Sequence, residues 1–202
     1  GLVLTPMMLG IVFASGISGF TLSKFKRYKL LAFAGLALMA VGLALLARMS
    51  PATSNSAAVL NIVIFGAGLG LTFPVYTVAI QNAFKRDQMG VVSSAEQLFR
   101  GIVGTIGATV FGVIMTGRFA DAMKAGLAQT DPAVLEGIPP EAIAAMVENP
   151  QRLGSAGPIP LPLIELIQNS MSESITAIFT VGMILMLVAL ALTFLLPEAR
   201  LR

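Results

Sequence analysis

The chain contains no cysteine and no histidine. Their absence removes disulfides, thiol nucleophiles, imidazole bases and the usual zinc ligand sets. No paired aspartates stand in for them, so no intramembrane enzyme, metal site or cofactor is expected. Charge is scarce too. Asp, Glu, Lys and Arg make up 11% of the 202 residues, against about 25% in a soluble domain. The net charge of +3 does not point to nucleic acid. The basic residues sit in short loops between apolar runs, where membrane topology accounts for them. Apolar residues fill the remainder, at 56% of the chain with a mean hydropathy of +0.87. The composition therefore describes an all-α membrane protein. The opening Gly1-Leu2-Val3-Leu4 lacks the positive stretch of a signal peptide and reads as the inside of a spanning helix, so earlier helices are expected.

Apolar runs of roughly 20 residues cross a bilayer, and five are present. Span I covers Gly1 to Leu22, with small residues Ser15, Gly16, Ser18 and Gly19 suited to close packing. Span II covers Leu30 to Ala47 and is apolar all round, with Ala37, Ala40, Ala44 and Ala47 as its expected seam. Span III covers Ala57 to Phe84, span IV covers Val91 to Phe119, and span V covers Ile175 to Leu196. Residues 1–119 thus form four membrane helices, 120–174 an extracytoplasmic loop, 175–196 the last span and 197–202 a cytoplasmic tail. Lys24, Lys26, Arg27, Lys29, Lys85, Arg86, Arg200 and Arg202 fall on one side, and they outnumber Arg48, Arg118, Lys124 and Arg152 on the other. The positive-inside rule makes the richer side cytoplasmic, and the expected location is the cytoplasmic (inner) membrane. The 120–174 loop is acidic and broken by proline. Asp131-Pro132 and Pro139-Pro140-Glu141 are helix starts. Residues 142–147 suit a short amphipathic helix, and Leu161 to Ser170 another lying along the membrane surface.

The hairpin from Gly66 to Gly112 carries the polar chemistry. In span IV, Ser93, Glu96, Gln97, Arg100, Gly104 and Gly107 fall within about a third of the circumference at helical spacing. That face should meet protein or a wet cavity. Ionisable residues within a span are costly, which makes Glu96, Gln97 and Arg100 candidates for transport or gating. At i, i+4, Glu96 and Arg100 can equally neutralise each other as a structural pair, which is the favoured reading. In span III, Asn61, Phe65, Thr72 and Tyr76 recur near one face and are candidates for a cavity wall, with core packing the alternative. Gln81 and Asn82 could touch substrate, cap the helix end or bond to span IV. Gly66, Gly68, Gly70 and Pro74, with Gly101, Gly104 and Gly107, are hinge or packing positions, packing being favoured for span IV. Gly66-Ala67-Gly68-Leu69-Gly70 is not a dinucleotide loop, since Leu71 stands where the third glycine would be and no strand precedes it. By polarity, spans I, III and IV line a cavity and spans II and V are peripheral.

Gln81-Asn82-Ala83, the turn to Gly90, and Gln97-Leu98-Phe99-Arg100 through Gly104 to Gly107 resemble the major facilitator superfamily. More narrowly, they resemble its fourteen-span drug:proton antiporters. Gly19 with Lys24 and Arg27-Tyr28-Lys29 is similar to that superfamily's basic loop motif. Phe194 to Arg202 is similar to its usual ending. The chain departs from the loop motif at Ser23, where aspartate is usual, and at Lys26, where glycine is, so a charge relay through that loop is not carried over. The resemblance implies the last five helices of a longer bundle, with the N-terminal half elsewhere in the same protein. It also implies alternating access, coupling to protons, and export of small amphipathic or cationic substrates, for which Met7 and Met8 suit a surface that repacks. The alternatives are the same fold moving a specific metabolite, and a membrane scaffold that transports nothing.

Overall fold

The computed structural model describes residues 4–25, 28–135, 139, 141, 143–144, 147 and 160–195. Helices α1 (Leu4–Phe25), α2 (Tyr28–Ala47) and α3 (Asn55–Ala83) are followed by a 3-10 turn at Arg86–Gln88. Then come α4 (Met89–Leu127), a single turn α5 (Pro132–Leu135) and α6 (Leu161–Leu195). All but α5 are long and apolar enough to cross a membrane. Local chemistry sets several of the ends. Ser54 caps α3 by accepting from the Ala57 amide at 3.4 Å, which satisfies one donor of the first turn. Pro132 opens α5, where its missing N–H does least harm.

Helix α3 lies between α1 and α2, and α2 in turn lies between α3 and α6. Ser18 on α1 is fully buried and donates to the Leu71 carbonyl of α3 at 2.8 Å. That carbonyl is next to the one of Gly70, whose helical donor Pro74 removes, so the bond ties α1 to α3 at the turn that Pro74 loosens. Glycines on α2 and α3 set the distance between those two helices. A Cβ on Gly42 would come within 2.8 Å of the Phe65 backbone, and one on Gly35 within 2.6 Å of Thr72. Only glycine permits that approach.

The peripheral place expected for span II is therefore wrong. Ala32, Gly35, Leu36, Met39, Ala40, Gly42, Leu43 and Leu46 of α2 are buried. Polarity misled because protein and lipid are equally apolar partners for such a helix. Gly35 and Gly42 mark its seam with α3, and of the alanine row Ala40 is buried and Ala37, Ala44 and Ala47 are half-buried. Along α6, Leu163, Ile167, Ser170, Ser174 and Thr193 are buried and the other residues are exposed or half-buried.

One end of the bundle gathers the α1–α2 connection, the α3–α4 turn and the end of α6. Lys29 Nζ donates to the Phe194 carbonyl at 3.1 Å, a cation at the negative end of α6. Phe33 meets Phe194 edge-on at 5.1 Å, and Tyr76 Oη lies 3.5 Å from Thr193 Oγ1. Lys26, Arg27, Arg200 and Arg202 lie outside the described residues.

At the opposite end α4 and α6 pair with each other. With 39 and 35 residues, they are about 58 and 52 Å long, well beyond a hydrocarbon core of ~30 Å. Phe119, Met123, Leu163 and Ile167 form a small core there with Val147. Residues Leu161 to Ser170 are thus the first turns of α6 and not a separate surface helix. No breaker separates Pro162 from the membrane stretch. Ser174 satisfies itself on the helix by donating to the Met171 carbonyl at 2.8 Å. Of the helix expected at 142–147, residues 142, 145 and 146 lie outside the described residues, and Ile143, Ala144 and Val147 are helical.

Candidate functional site

The two halves of the central hairpin touch sparingly, and a polar clasp accounts for much of what contact there is. Glu96 on α4 accepts on Oε1 from Arg100 Nη2, one turn further along. The same oxygen accepts from Thr77 Oγ1 of α3 at 3.2 Å. The Arg100 guanidinium lies over the Phe73 ring of α3, 4.1 Å from its centroid. Residues 73 and 77 are one turn apart on α3, as 96 and 100 are on α4. The antiparallel hairpin brings the two pairs into register. Arg100 is about 17 Å along α4 from Met89, and so near the middle of a ~30 Å core.

The clasp is lopsided in exposure. The Glu96 side chain is 14% exposed and Arg100 44%. A carboxylate that far from solvent needs donors, and it has two. The guanidinium keeps one side open. Gln97 is exposed one turn before it, and round the helix from Arg100 an open surface depression on α4 is lined by Gln97, Gly101 and Thr105.

The structure separates the remaining sequence candidates. Phe65, Thr72 and Tyr76 do share a face with half-buried Asn61, but that face packs on α2 and α6. Thr72 is buried and donates to the Gly68 and Leu69 carbonyls at 3.1 and 2.9 Å. Tyr76 packs against Leu22, Ala32 and Val75. The helical spacing marked a real face, but it is a packing seam and not a cavity wall. Gln81 and Asn82 are exposed, and Asn82 Nδ2 donates to its own helix at the Val78 carbonyl, 3.1 Å away. Gly66 and Gly70 are notches for α1, and Gly68 is a notch for α2. Gly101, Gly104 and Gly107 meet nothing within 4 Å, so on this chain they leave α4 with a bare outer face and pack nothing.

Phe73 and Thr77 are the members that sequence reasoning missed. Their signal was present in the hairpin register, which pairs them with Arg100 and Glu96, but neither residue type stands out in an apolar run. Among the described residues no group of His, Cys, Asp and Glu could hold a metal ion.

Comparison with known proteins finds transporters among the relatives of a chain with this clasp and open glycine face. The multidrug transporter protein MdtP of Bacillus subtilis is 30% identical over the whole of this chain. The uncharacterized MFS-type transporter Rv1877 of Mycobacterium tuberculosis is 32% identical over 73% of it. The chain belongs to the major facilitator superfamily. A tetracycline resistance determinant of Streptomyces rimosus is a further relative, 29% identical over 98% of the chain. The drug-resistance names agree with the antiporter branch that the hairpin motifs resemble. The chain spans 40% of the length of MdtP and 23% of that of Rv1877. No family model matches it, and no solved structure does. Membership and the five membrane-length helices make it a multi-pass membrane protein.

Proposed function

We propose that this chain forms part of a proton-coupled exporter of small amphipathic drugs in the cytoplasmic membrane. Residues 1–119 and 175–196 would supply membrane helices, with 120–174 outside and 197–202 in the cytoplasm. A second bundle from the remainder of a longer chain would complete the pump. Alternating access would rock the two bundles about a site near the midplane. The observation that carries this reading is the open face of α4 at the clasp. There Arg100, Gln97 and the bare glycines are exposed at membrane depth, where lipid would penalise them and a wet cavity would not. The kinship with multidrug and tetracycline resistance proteins supports drug-like cargo. Gln97 and Arg100 are the residues of this chain that would face it.

The test is export by the full-length chain in a bacterium stripped of its own drug pumps. Tetracycline and ethidium should each be tolerated at severalfold higher concentration. Ethidium efflux should stop when a protonophore collapses the proton gradient. Efflux that survives the protonophore would remove the coupling. Well-inserted protein without any efflux would remove the exporter.

A further inference from the structure

We propose that the cleft between α4 and α6 holds one aminophospholipid, its phosphate on Arg118 and its ammonium on Asp121 and Glu173. The inference goes beyond the exporter reading. It needs only that both helices cross a membrane, and it stands or falls separately from drug export.

Charge places the rim of this cleft at a membrane surface. Arg118 is the first charged residue on α4 after Arg100, and Asp121 follows it. Glu173 is the last charged residue on α6. Each helix therefore ends its uncharged membrane stretch at the rim, where charged side chains can meet headgroups and water. Arg118, Asp121 and Glu173 all line the same cleft. They are exposed, and among the described residues none of their side chains makes a hydrogen bond or an ion pair. Below them the cleft turns apolar, with Val113 of α4 facing Val181 and Ile184 of α6. From Glu173 to Ile184 it runs about 16 Å along α6, the depth of one leaflet of a ~30 Å core. A charged rim over an apolar trough of that depth matches the outline of a phospholipid. The Phe119 and Leu163 core beyond the rim holds the two helices together there.

The charge count sets the headgroup. One cation and two carboxylates suit a ligand that carries both a phosphate and an ammonium. Arg118 can grip a phosphate through two N–H groups. Asp121 and Glu173, one from each helix, can both accept from a primary ammonium. Thr176 and Thr180 donate to the Ser172 and Thr176 carbonyls, at 3.0 and 2.9 Å, so they too offer an occupant only acceptors. A choline nitrogen has no hydrogen to donate, so phosphatidylcholine satisfies only the Arg118 half. Phosphatidylglycerol has no cation and would bring its negative charge to two carboxylates. A metal ion needs more oxygen ligands than these two carboxylates supply.

The test is native mass spectrometry of the delipidated full-length protein, titrated in turn with phosphatidylethanolamine, phosphatidylcholine and phosphatidylglycerol. Phosphatidylethanolamine should bind about tenfold more tightly than the other two, the worth of one hydrogen bond to a charged group. Asp121→Asn combined with Glu173→Gln should erase that preference. Arg118→Gln should weaken phosphatidylethanolamine and phosphatidylcholine alike, about tenfold. Gly117 lines the cleft and has open space beside it, so Gly117→Leu should block the trough and weaken binding at least as much without touching a charge. Equal affinity of the parent for the three lipids overturns the proposal. So does a preference that survives the paired carboxylate change. Should that double variant fail to fold, Gly117→Leu decides alone, since unchanged affinity there also overturns it. The rival occupant is a helix from the remainder of the longer chain. Gly117→Cys in the delipidated protein would then resist N-ethylmaleimide, which overturns the lipid site. A protein that holds the lipid here yet exports nothing refutes the exporter and spares the site. An exporter without lipid preference does the reverse.

Discussion

Gly70→Ala is the sharpest probe of how this bundle is built. A Cβ there would lie 2.3 Å from the Ile11 carbonyl oxygen, 2.9 Å from the Ile11 Cα and 3.0 Å from the Ala14 Cβ. The first two are backbone atoms, so no side-chain rotation relieves the clash. Helix α1 must retreat from α3 by about 1 Å to reach ordinary contact distances. The Ser18 to Leu71 hydrogen bond, now 2.8 Å, would then stretch beyond the limit at which a hydrogen bond survives. Overpacking of this kind costs about 1–3 kcal/mol. Losing a hydrogen bond from a buried hydroxyl adds roughly 1 kcal/mol. The total, about 2–4 kcal/mol, should lower the melting temperature of the purified full-length protein on the order of 5–15 °C. Gly16→Ala is the control, because nothing lies within 4 Å of that position. Ser18→Ala on top of Gly70→Ala should cost less than it does alone, because the bond is already broken. Gly70→Ala protein that melts with Gly16→Ala would refute the packing of α1 against α3.

Two further outcomes follow from the same structure. Phe119→Ala should destabilise by about 3–5 kcal/mol, since Phe119 is fully buried where α4 and α6 pair. Thermal melting of the variant checks this, and a shift within error would mean that the paired ends carry no core. Cysteines placed at Lys24 and Thr130 should react with an impermeant maleimide from opposite faces of the membrane. Reaction of both from outside intact cells would overturn the assigned topology.

The membrane helices were legible in the residues because water and lipid differ enormously as solvents. A run of about 20 apolar residues has one low-energy place to be, and loops rich in lysine and arginine orient it. The i, i+4 spacing of Glu96 and Arg100 was likewise enough to pair them, because a helix places its own neighbours. Arrangement between helices was not legible in the same way. Lipid and protein offer nearly the same surroundings to leucine and alanine, so α2 could be read as peripheral although Gly35 and Gly42 lock it against α3. The spacing of Phe65, Thr72 and Tyr76 revealed a face but not what it faces. A threonine that bonds its own backbone carbonyls looks, in sequence, like one that lines a cavity. Only the tertiary structure decided that Phe73 and Thr77 complete the clasp, that α4 leaves its glycines bare, and that Leu161 begins the last helix. The deciding contacts join residues far apart in the chain, and their geometry depends on how closely two backbones approach, a distance that residue type alone does not encode.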